Sequence, residues 1–342
     1  MAQIGVAIQG AGWVSSEHIR AYLRDPRAEV VAIGSRTKEG AARKAAEFGL
    51  DVPVFDDFSA LLAHPGVDAV SLCTPHQLHC DETVLAAEAG KHILIEKPVA
   101  LDNDELTRMR AAVAAAGVRT VVSFVLRWNP AILNIKALKK DGALGEVFHV
   151  QTDYWHNLGQ AGLSGHGGRV SAMLSGGCHA MDAARYLMES EIVSVSARSW
   201  SPGEGEDPDH TGNANTIAVV KFANGAMGKV SACTTQWMPY NFNIDVFGTD
   251  GVVRGDKLYT KKLPGLTGFA ELTTVLPDNG DVAHHPFPAE IAHFLDCIVD
   301  GVESHVSLED AANTHQACFA ADESSANDGA PITLPPVTRR TD

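Results

Sequence analysis

The fold is indicated first by Ile4-Gly5-Val6-Ala7-Ile8-Gln9-Gly10-Ala11-Gly12-Trp13-Val14-Ser15. Its apolar first half is typical of a buried strand, and its second half opens a helical pattern. A strand, a glycine turn and a helix in this order form the context of a dinucleotide fingerprint. Gly10 suits the tight turn, and Gly12 lets the backbone approach a pyrophosphate. Because Ser15 holds the third glycine position, the segment predicts a nucleotide site with an incomplete fingerprint.

Strands and helices alternate through the next hundred residues. Strand candidates lie at 29–34, 52–55, 67–73, within 90–98 and at 118–125, and helical patterns separate them. This order predicts parallel strands joined by right-handed crossovers. We therefore expect residues 1–121 to form a dinucleotide-binding domain with a parallel sheet.

The chain after residue 121 has a different pattern. A helical segment at 130–140 precedes strand-like runs at 147–155, 193–200, 216–222, 226–234 and 243–247, and helical patterns return at 289–299 and 308–321. Consecutive strands with Asn-Gly and Asp-Gly turns predict antiparallel pairing. We expect an α/β protein whose second domain, residues 122–342, has a large, mainly antiparallel open sheet for substrate binding and oligomerisation.

Composition excludes several classes of partner. The formal net charge is −15, without long acidic blocks, which argues against a broad basic surface for nucleic acid or anionic membrane. The six cysteines lie far apart in apolar segments and form no C-x-x-C pair, which favours reduced thiols over a disulfide framework. No targeting segment and no apolar run of membrane-spanning length is evident. We expect a cytoplasmic protein.

Two strand ends carry residues suited to chemistry. Gly90-Lys91-His92-Ile93-Leu94-Ile95-Glu96-Lys97-Pro98 has an apolar middle and ends on a charge pair and a proline, while Thr74-Pro75-His76 follows the preceding strand. Ligands bind at the carboxyl edge of open α/β sheets, so Lys97 is placed to meet a substrate. The alternative is a surface lysine at a strand end. His76 and His79 lack further metal ligands at matching spacing, which favours packing or a cofactor contact.

The end of the second strand candidate bears on cofactor choice. An acidic residue there would hold the ribose hydroxyls of NAD, but Ser35-Arg36-Thr37-Lys38 occupies the place. A hydroxyl and two cations suit a 2′-phosphate, so the sequence mildly favours NADP over NAD. The alternative is that Arg36 and Lys38 form a solvated helix face and that Ser35 alone touches the ribose.

A second chemical cluster is Leu174-Ser175-Gly176-Gly177-Cys178-His179-Ala180-Met181-Asp182. It opens a helix in which His179 and Asp182, three residues apart, share a face. An imidazole can accept the proton of a secondary alcohol while the hydride leaves to a nicotinamide. The alternative is a capped helix with a buried histidine bonded to backbone.

Together these motifs resemble the Gfo/Idh/MocA family of oxidoreductases, named for glucose-fructose oxidoreductase, inositol dehydrogenase and a rhizopine-catabolism protein. The resemblance spans essentially the whole chain and rests on five motifs. They are Gly10-Ala11-Gly12 with His18, Thr74-Pro75-His76 with His79, Gly90-Lys91-His92 running into Glu96-Lys97-Pro98, Arg127 with Pro130, and Gly177-Cys178-His179 with Asp182. It implies a Rossmann domain, a second α/β domain whose open sheet supports a homodimer or homotetramer, and NAD(P)-linked redox at a carbinol of a sugar, glycoside or cyclitol.

The resemblance also implies roles for individual residues. Lys97 matches the family's catalytic lysine and His179 its catalytic histidine. Ser175 stands where many relatives carry an aspartate. Our hypothesis is that His179 is the general base, that Lys97 holds the substrate hydroxyl and the cofactor amide, and that Ser175 supplies only a hydrogen bond.

The remaining site predictions are assigned by chemistry and position. The residues assigned to the cofactor are Gly10, Ala11, Gly12, Trp13, Val14, Ser35, Arg36, Lys38, Thr74, Pro75, His76, His79, Glu96, Lys97 and Pro98. Those assigned to the substrate are Lys97, Arg127, Asp153, Tyr154, His156, Arg169, Ser175, His179 and Asp182, each with a structural role as its alternative. His284 and His285 resemble half a metal site but lack spaced partners, so no metal is predicted.

Three functional classes fit these residues. The first is a dehydrogenase or reductase acting on a carbohydrate or polyol. The second is a glycosidase that uses bound NAD for transient oxidation and shows no net cofactor turnover. The third is a nucleotide-binding regulator without catalysis, which Lys97 and His179 together argue against.

Overall fold

The structure, a computed structural model, describes residues 3–157, 170–201, 213–273 and 285–335. They form two compact units. The first comprises Met1–Val125 and Pro286–Ala312, and the second comprises Leu126–His285 and Asn313–Asp342. The first unit thus includes a segment from late in the chain, which the predicted ranges 1–121 and 122–342 place in the second domain. That two-range division remains a prediction.

The first unit is built on a parallel sheet of six strands. Its strands are β1 (Ile4–Gln9), β2 (Ala28–Gly34), β3 (Val54–Phe55), β4 (Ala69–Leu72), β5 (His92–Ile95) and β6 (Thr120–Val122). Their order across the sheet is β3-β2-β1-β4-β5-β6, and every pair is parallel. This is the dinucleotide-binding order, in which the strand sequence reverses between β1 and β4.

Helices of this unit connect the strands. They are α1 (Trp13–Tyr22), α2 (Lys38–Glu47), α3 (Phe58–Leu62), α4 (His79–Glu88) and α5 (Asn103–Ala116), joined by α9 (Phe287–Asp300) from the later segment. All residues of β1 and of β4 are buried, as in a parallel sheet covered on both faces.

The second unit is built on a mixed sheet of nine strands. Its strands are β7 (Val147–Trp155), β8 (Ile192–Ser199), β9 (Asn215–Phe222), β10 (Met227–Cys233), β11 (Asn241–Gly248), β12 (Gly251–Arg254), β13 (Lys257–Thr260), β14 (Ala270–Glu271) and β15 (Ile332–Thr333). The order is β14-β13-β12-β11-β7-β10-β9-β8-β15, and only the β7–β10 pair among these described strands is parallel. The helices are α6 (Pro130–Lys140), α7 (Ala172–Ser175), α8 (Gly177–Met188) and α10 (Leu308–Ala326), whose first turn belongs to the first unit.

The two faces of this sheet differ. In β9, Thr216, Ala218 and Val220 are buried, whereas the intervening Ile217 and Val219 are exposed. Side chains alternate across a strand, so one face of the sheet lies against helices and the other is open. On the covered face, the Thr152 hydroxyl donates to the Ala180 carbonyl of α8 at 2.9 Å.

The predicted fold class is confirmed: a parallel-sheet domain is accompanied by an α/β unit with a mainly antiparallel sheet. All six cysteines lie in the described part of the chain, and none of them is joined to another in a disulfide. Within the described residues, no helix combines the length and apolarity that a bilayer crossing demands.

Candidate active site

The turn after β1 requires glycine at one position. Gly10 has φ = +112°, a region that L side chains rarely adopt. A Cβ atom there would also collide with the carbonyl group of Cys73 at the end of β4. Glycine at this position therefore lets the loops after β1 and β4 come together.

The N-terminus of α1 suits an anion. Gly12 is the N-cap residue, and among the described residues no side chain caps this helix and no acidic residue stands in its first turn. No described atom would lie within 4 Å of a Cβ at Gly12, so the space above the turn is open. Unpaired N–H groups at a helix N-terminus bind phosphate, so this donor set fits the pyrophosphate of a dinucleotide. Ala11, Trp13 and Val14 complete this turn and are all at least partly exposed.

Ser15 explains how the turn tolerates the missing third glycine. Its side chain is fully buried, and its hydroxyl donates to the Gly12 carbonyl at 2.7 Å. The serine is thus used inside the turn and leaves the helix N-terminus open.

The end of β2 carries the residues predicted to select the cofactor. Ser35 is half-buried, whereas Arg36 and Lys38 are exposed. The Lys38 ammonium lies 3.8 Å from Asp56, and Thr37 caps α2 by accepting from the Gly40 N–H at 3.1 Å. Arg36 is therefore accessible to a ligand beside Ser35.

His79 ties two of the predicted cofactor segments together. Its Nδ1 lies 2.9 Å from the Pro98 carbonyl oxygen, and its Nε2 lies 2.9 Å from that of Thr74. Burial lowers the pKa of His79, which favours the neutral ring, and a neutral ring donates to one of these oxygens at a time. His76 begins a short 3₁₀ turn directly after Pro75. His79 is thus a link between the Thr74–Pro75 loop and Pro98.

Glu96 anchors the residue that follows it, Lys97. Its carboxylate lies 3.0 Å from Nε2 of the fully buried His18 and accepts from the Lys97 backbone N–H at 3.2 Å. Burial raises the pKa of Glu96, but hydrogen bonds and charge from His18, together with the Lys97 charge, outweigh burial and hold this pKa below its usual value. A buried anion therefore fixes the backbone of the half-buried Lys97.

In the second unit, two glycines bring α8 close to the sheet. A Cβ at Gly176 would overlap the Tyr154 ring, and one at Gly177 would lie 2.7 Å from the Ala232 side chain. This close approach stacks the His179 ring on Tyr154 of β7, with centroids 5.6 Å apart and an interplanar angle of 24°. The glycine pair thus places the predicted catalytic histidine.

Further rings surround this stack, and we call Tyr154, His156, His179, Tyr240 and His285 the ring cluster. His156 and Tyr240 lie 5.3 Å apart, Tyr240 and His285 5.7 Å, and His285 and His179 6.1 Å, measured between centroids. All five side chains are buried. The structure therefore brings the predicted residues Tyr154, His156 and His179 together. Tyr240 also belongs to the cluster, although no sequence motif indicated it. His285 is the fifth member; in the sequence it resembled, with His284, half a metal site.

Two other predicted substrate residues bind each other. The Arg127 guanidinium donates to both carboxylate oxygens of Asp182, at 2.7 and 2.6 Å, and both side chains are 2% exposed. Thr314 of α10 donates to the same carboxylate at 3.2 Å, and the guanidinium lies over the Tyr186 ring. This geometry supports the structural alternative, in which the pair joins α8 to the chain around it.

The other predicted substrate residues lie elsewhere. Asp153 precedes Tyr154 on β7 and lies on the open face of the sheet, 2.5 Å from the Lys229 ammonium and 3.2 Å from the Asn243 amide. Ser175 is half-buried at the end of α7, and Arg169 lies outside the described residues, as does His284. Among the described residues, no group of three histidine, cysteine or acidic side chains has the arrangement of a metal site.

Comparison with known proteins agrees with this geometry. Residues 4–124 match the family model for the GFO/IDH/MocA oxidoreductase family with its NAD-binding Rossmann fold, and residues 132–254 match the model for the GFO/IDH/MocA C-terminal domain. Both matches fall where the sequence motifs and the two sheets lie.

Individual relatives extend over most of the chain. It is 28% identical to the scyllo-inositol 2-dehydrogenase (NAD(+)) of Bacillus subtilis strain 168 over 335 residues, 97% of this chain and 96% of the relative. It is 30% identical to the oxidoreductase YrbE of the same strain over 266 residues, 74% of each chain. The structure of levoglucosan dehydrogenase in complex with NADH and levoglucosan has the same fold, with a TM-score of 0.85 at 24% identity, covering 97% of this chain and 99% of the other. The chain therefore belongs to the Gfo/Idh/MocA family of oxidoreductases, and its residues 4–124 correspond to the family's NAD-binding Rossmann fold.

Proposed function

We propose that this protein is an NAD(P)-dependent dehydrogenase or reductase that transfers a hydride between the nicotinamide and a secondary alcohol or ketone of a sugar, glycoside or cyclitol. Its family and its relatives support the reaction class, since two of them are named as dehydrogenases of scyllo-inositol and levoglucosan. The observation that carries the proposal is the His179 ring, buried and stacked on Tyr154 within the ring cluster.

The ring cluster has the chemistry of a polyol site. Ring faces pack against the C–H faces of a sugar or cyclitol, while imidazole nitrogens and phenol hydroxyls exchange hydrogen bonds with its hydroxyl groups. A cluster built from three imidazoles and two phenols offers both kinds of contact. This composition supports a small, uncharged, hydroxyl-rich substrate.

His179 and Lys97 have separate roles in the proposed reaction. The bound nicotinamide supplies the hydride acceptor for oxidation. His179 accepts the proton of the reacting hydroxyl group, because an imidazole titrates near neutral pH and suits general base catalysis. Lys97, whose backbone is fixed by Glu96, holds the same hydroxyl group and the cofactor amide. Ser175, which stands where many relatives carry an aspartate, supplies only a hydrogen bond.

A substrate screen tests the proposed function. Purified protein mixed with NAD or NADP and a panel of inositols, anhydrosugars, sugars and glycosides is expected to reduce the cofactor with at least one cyclitol or sugar. The measurement is the absorbance of the reduced nicotinamide. Cleavage of a glycoside without net cofactor reduction would instead establish the glycosidase alternative. Cofactor binding without turnover of any substrate would favour the regulator.

We propose that NADP is preferred over NAD, because Arg36 is exposed next to Ser35 where a ribose 2′-phosphate would lie. Arg36→Ala is then expected to lower kcat/KM for NADP by about tenfold, the loss of one charge-assisted hydrogen bond, with little change for NAD. Initial rates with each cofactor measure this. Arg43→Ala, at an exposed position of α2, is the matched control. An equal loss with both cofactors would contradict the role of Arg36.

The oligomeric state and the location complete the proposal. We expect a cytoplasmic homodimer or homotetramer. The open face of the second sheet supports assembly, because the apolar side chains of Ile217, Val219 and Met227 are about half exposed there on adjacent strands.

A further inference from the structure

The apolar face of α9 includes an acidic residue. Phe287, Ile291, Phe294 and Leu295 are buried along this helix, and Glu290 lies on the same face with no exposed surface. A carboxylate without a cation is very costly to bury, so such a group either finds compensation or stays protonated. Its surroundings show which of these applies.

Glu290 has a single hydrogen-bond partner among the described side chains. Its Oε2 lies 3.1 Å from the Ser123 hydroxyl at the end of β6, and its Oε1 has no partner in the described residues. Burial, and then the charge of Glu96, raise the pKa of Glu290 well above its usual value. Tyr22 and Cys73, the other titratable groups that interact with it, are not cations. The neutral acid fits this site, since its carbonyl oxygen costs less to leave unbonded than a carboxylate oxygen.

Ser123 lies between Glu290 and Glu96, the residue whose carboxylate fixes the backbone of Lys97. Ser123 lies beside Glu96 on the neighbouring strand end, since its backbone N–H donates to the Ile95 carbonyl at 2.8 Å. Hydrogen bonding from Ser123 also helps to lower the pKa of Glu96. A serine has one proton to donate and two lone pairs. When that proton is directed to Glu96, the Ser123 oxygen accepts the proton of the Glu290 carboxyl group. In this arrangement Glu290 donates to Ser123, and Ser123 donates to Glu96. The Glu96 carboxylate also accepts from His18 and from the Lys97 N–H.

We propose that Glu290 is a positioning residue which, as a neutral acid, donates through Ser123 to Glu96 and so fixes the carboxylate that orients Lys97. The proposal rests on the function proposed above only in that Lys97 acts at the reacting hydroxyl group. Glu290 itself acts without contact with substrate or cofactor. Its effect on the reaction is transmitted by hydrogen bonds that need a donor, not a charge.

Two substitutions in the full-length protein separate a donor from a charge. Glu290→Gln keeps a donor for Ser123 and is expected to retain kcat within about threefold of wild type. Glu290→Met has similar volume and no donor, and kcat is expected to fall about ten- to a hundredfold by misplacement of Lys97, with the melting temperature unchanged or raised. Asp300→Asn, at an exposed position of the same helix, is the control.

Each result bears on the proposal. Full activity of Glu290→Met would overturn it, and so would an equal loss of kcat in Glu290→Gln, which would mean that a carboxylate is required. If Glu290→Met does not fold, Ser123→Ala replaces it: the same fall in kcat is expected, and wild-type kcat would overturn the proposal. Infrared spectra separate this proposal from the function itself. A protonated carboxyl band at neutral pH that is lost in Glu290→Gln is expected whether or not a substrate is found, and its absence from wild type would refute the neutral acid.

Discussion

Replacing His179 by alanine is expected to lower kcat by about 10²- to 10⁴-fold, the contribution of a positioned general base. The side chain is buried and stacked on Tyr154, which holds the imidazole in one orientation, and alanine offers no proton acceptor in its place. Reduced-cofactor absorbance under saturating substrate measures kcat. Cofactor affinity, measured by nicotinamide fluorescence, is expected to stay near wild type because His179 is not among the residues predicted to bind the cofactor.

The control for this variant is His149→Ala, which removes an imidazole from the open face of the same sheet. It is expected to retain wild-type kcat. Lys97→Ala provides the comparison from the first unit and is expected to lower kcat and to raise KM, because Lys97 holds the substrate hydroxyl group. Near wild-type turnover of His179→Ala would reject its assignment as the base.

The second large effect concerns stability. Arg127→Ala is expected to reduce the free energy of unfolding by about 3–5 kcal/mol, because it leaves the Asp182 carboxylate buried without its cation. Thr314 then remains as a side-chain donor to this carboxylate, and it carries no charge. Thermal or urea unfolding followed by circular dichroism measures the loss.

Two further variants sharpen this test. Arg127→Met combined with Asp182→Leu removes both charges and is expected to cost less than Arg127→Ala alone, since no unpaired ion remains. Arg198→Ala breaks an arginine–aspartate pair with Asp328 at the surface, and water already screens that pair. Its melting temperature is expected to stay close to wild type. A loss in Arg198→Ala as large as in Arg127→Ala would argue against burial as the cause.

Local patterns in the sequence were sufficient to predict much of the fold. The predicted segments 130–140 and 147–155 coincide with α6 and β7. For α6 the reason is local, since Asn129 caps the helix by accepting from the Ala131 N–H at 2.7 Å and Pro130 fits its first turn. The alternating strands and helices of the first unit leave few topologies open, and the right-handed crossover rule selects among them.

Local sequence patterns could not predict which distant residues pair in the folded protein. Arg127 and Asp182 are 55 positions apart, and polar chemistry alone favoured both as substrate contacts. Asp153 illustrates a different limit. It follows Thr152 and precedes Tyr154, so the two-residue period of a strand places it on the other face, away from His179. That period was available in the sequence and argued against grouping Asp153 with Tyr154.

Glu290 and Tyr240 were missed for different reasons. Glu290 had a signal, because an acidic residue stood three positions after Phe287 and one before Ile291 on an apolar helical face. Tyr240 had none, since it lies in the loop just before β11 without a motif, and only the folded sheet brings it to His156.

Helix α9 completes the first unit although it lies more than 150 residues after β6 in the sequence, and this affects both synthesis of the protein and the construction of hybrids. The first unit begins with β1, yet two residues of α9 contact its early part. The Phe287 ring packs against the His18 ring with centroids 5.6 Å apart, and Asp296 forms an ion pair with Arg27. During synthesis this unit therefore waits for the entire intervening chain before its last helix is available. A fragment ending at residue 125 leaves the buried His18 and Glu290's partner Ser123 uncovered. Residues 1–125 are therefore not expected to fold as an independent domain. A hybrid enzyme that takes this segment from a relative also needs the relative's α9.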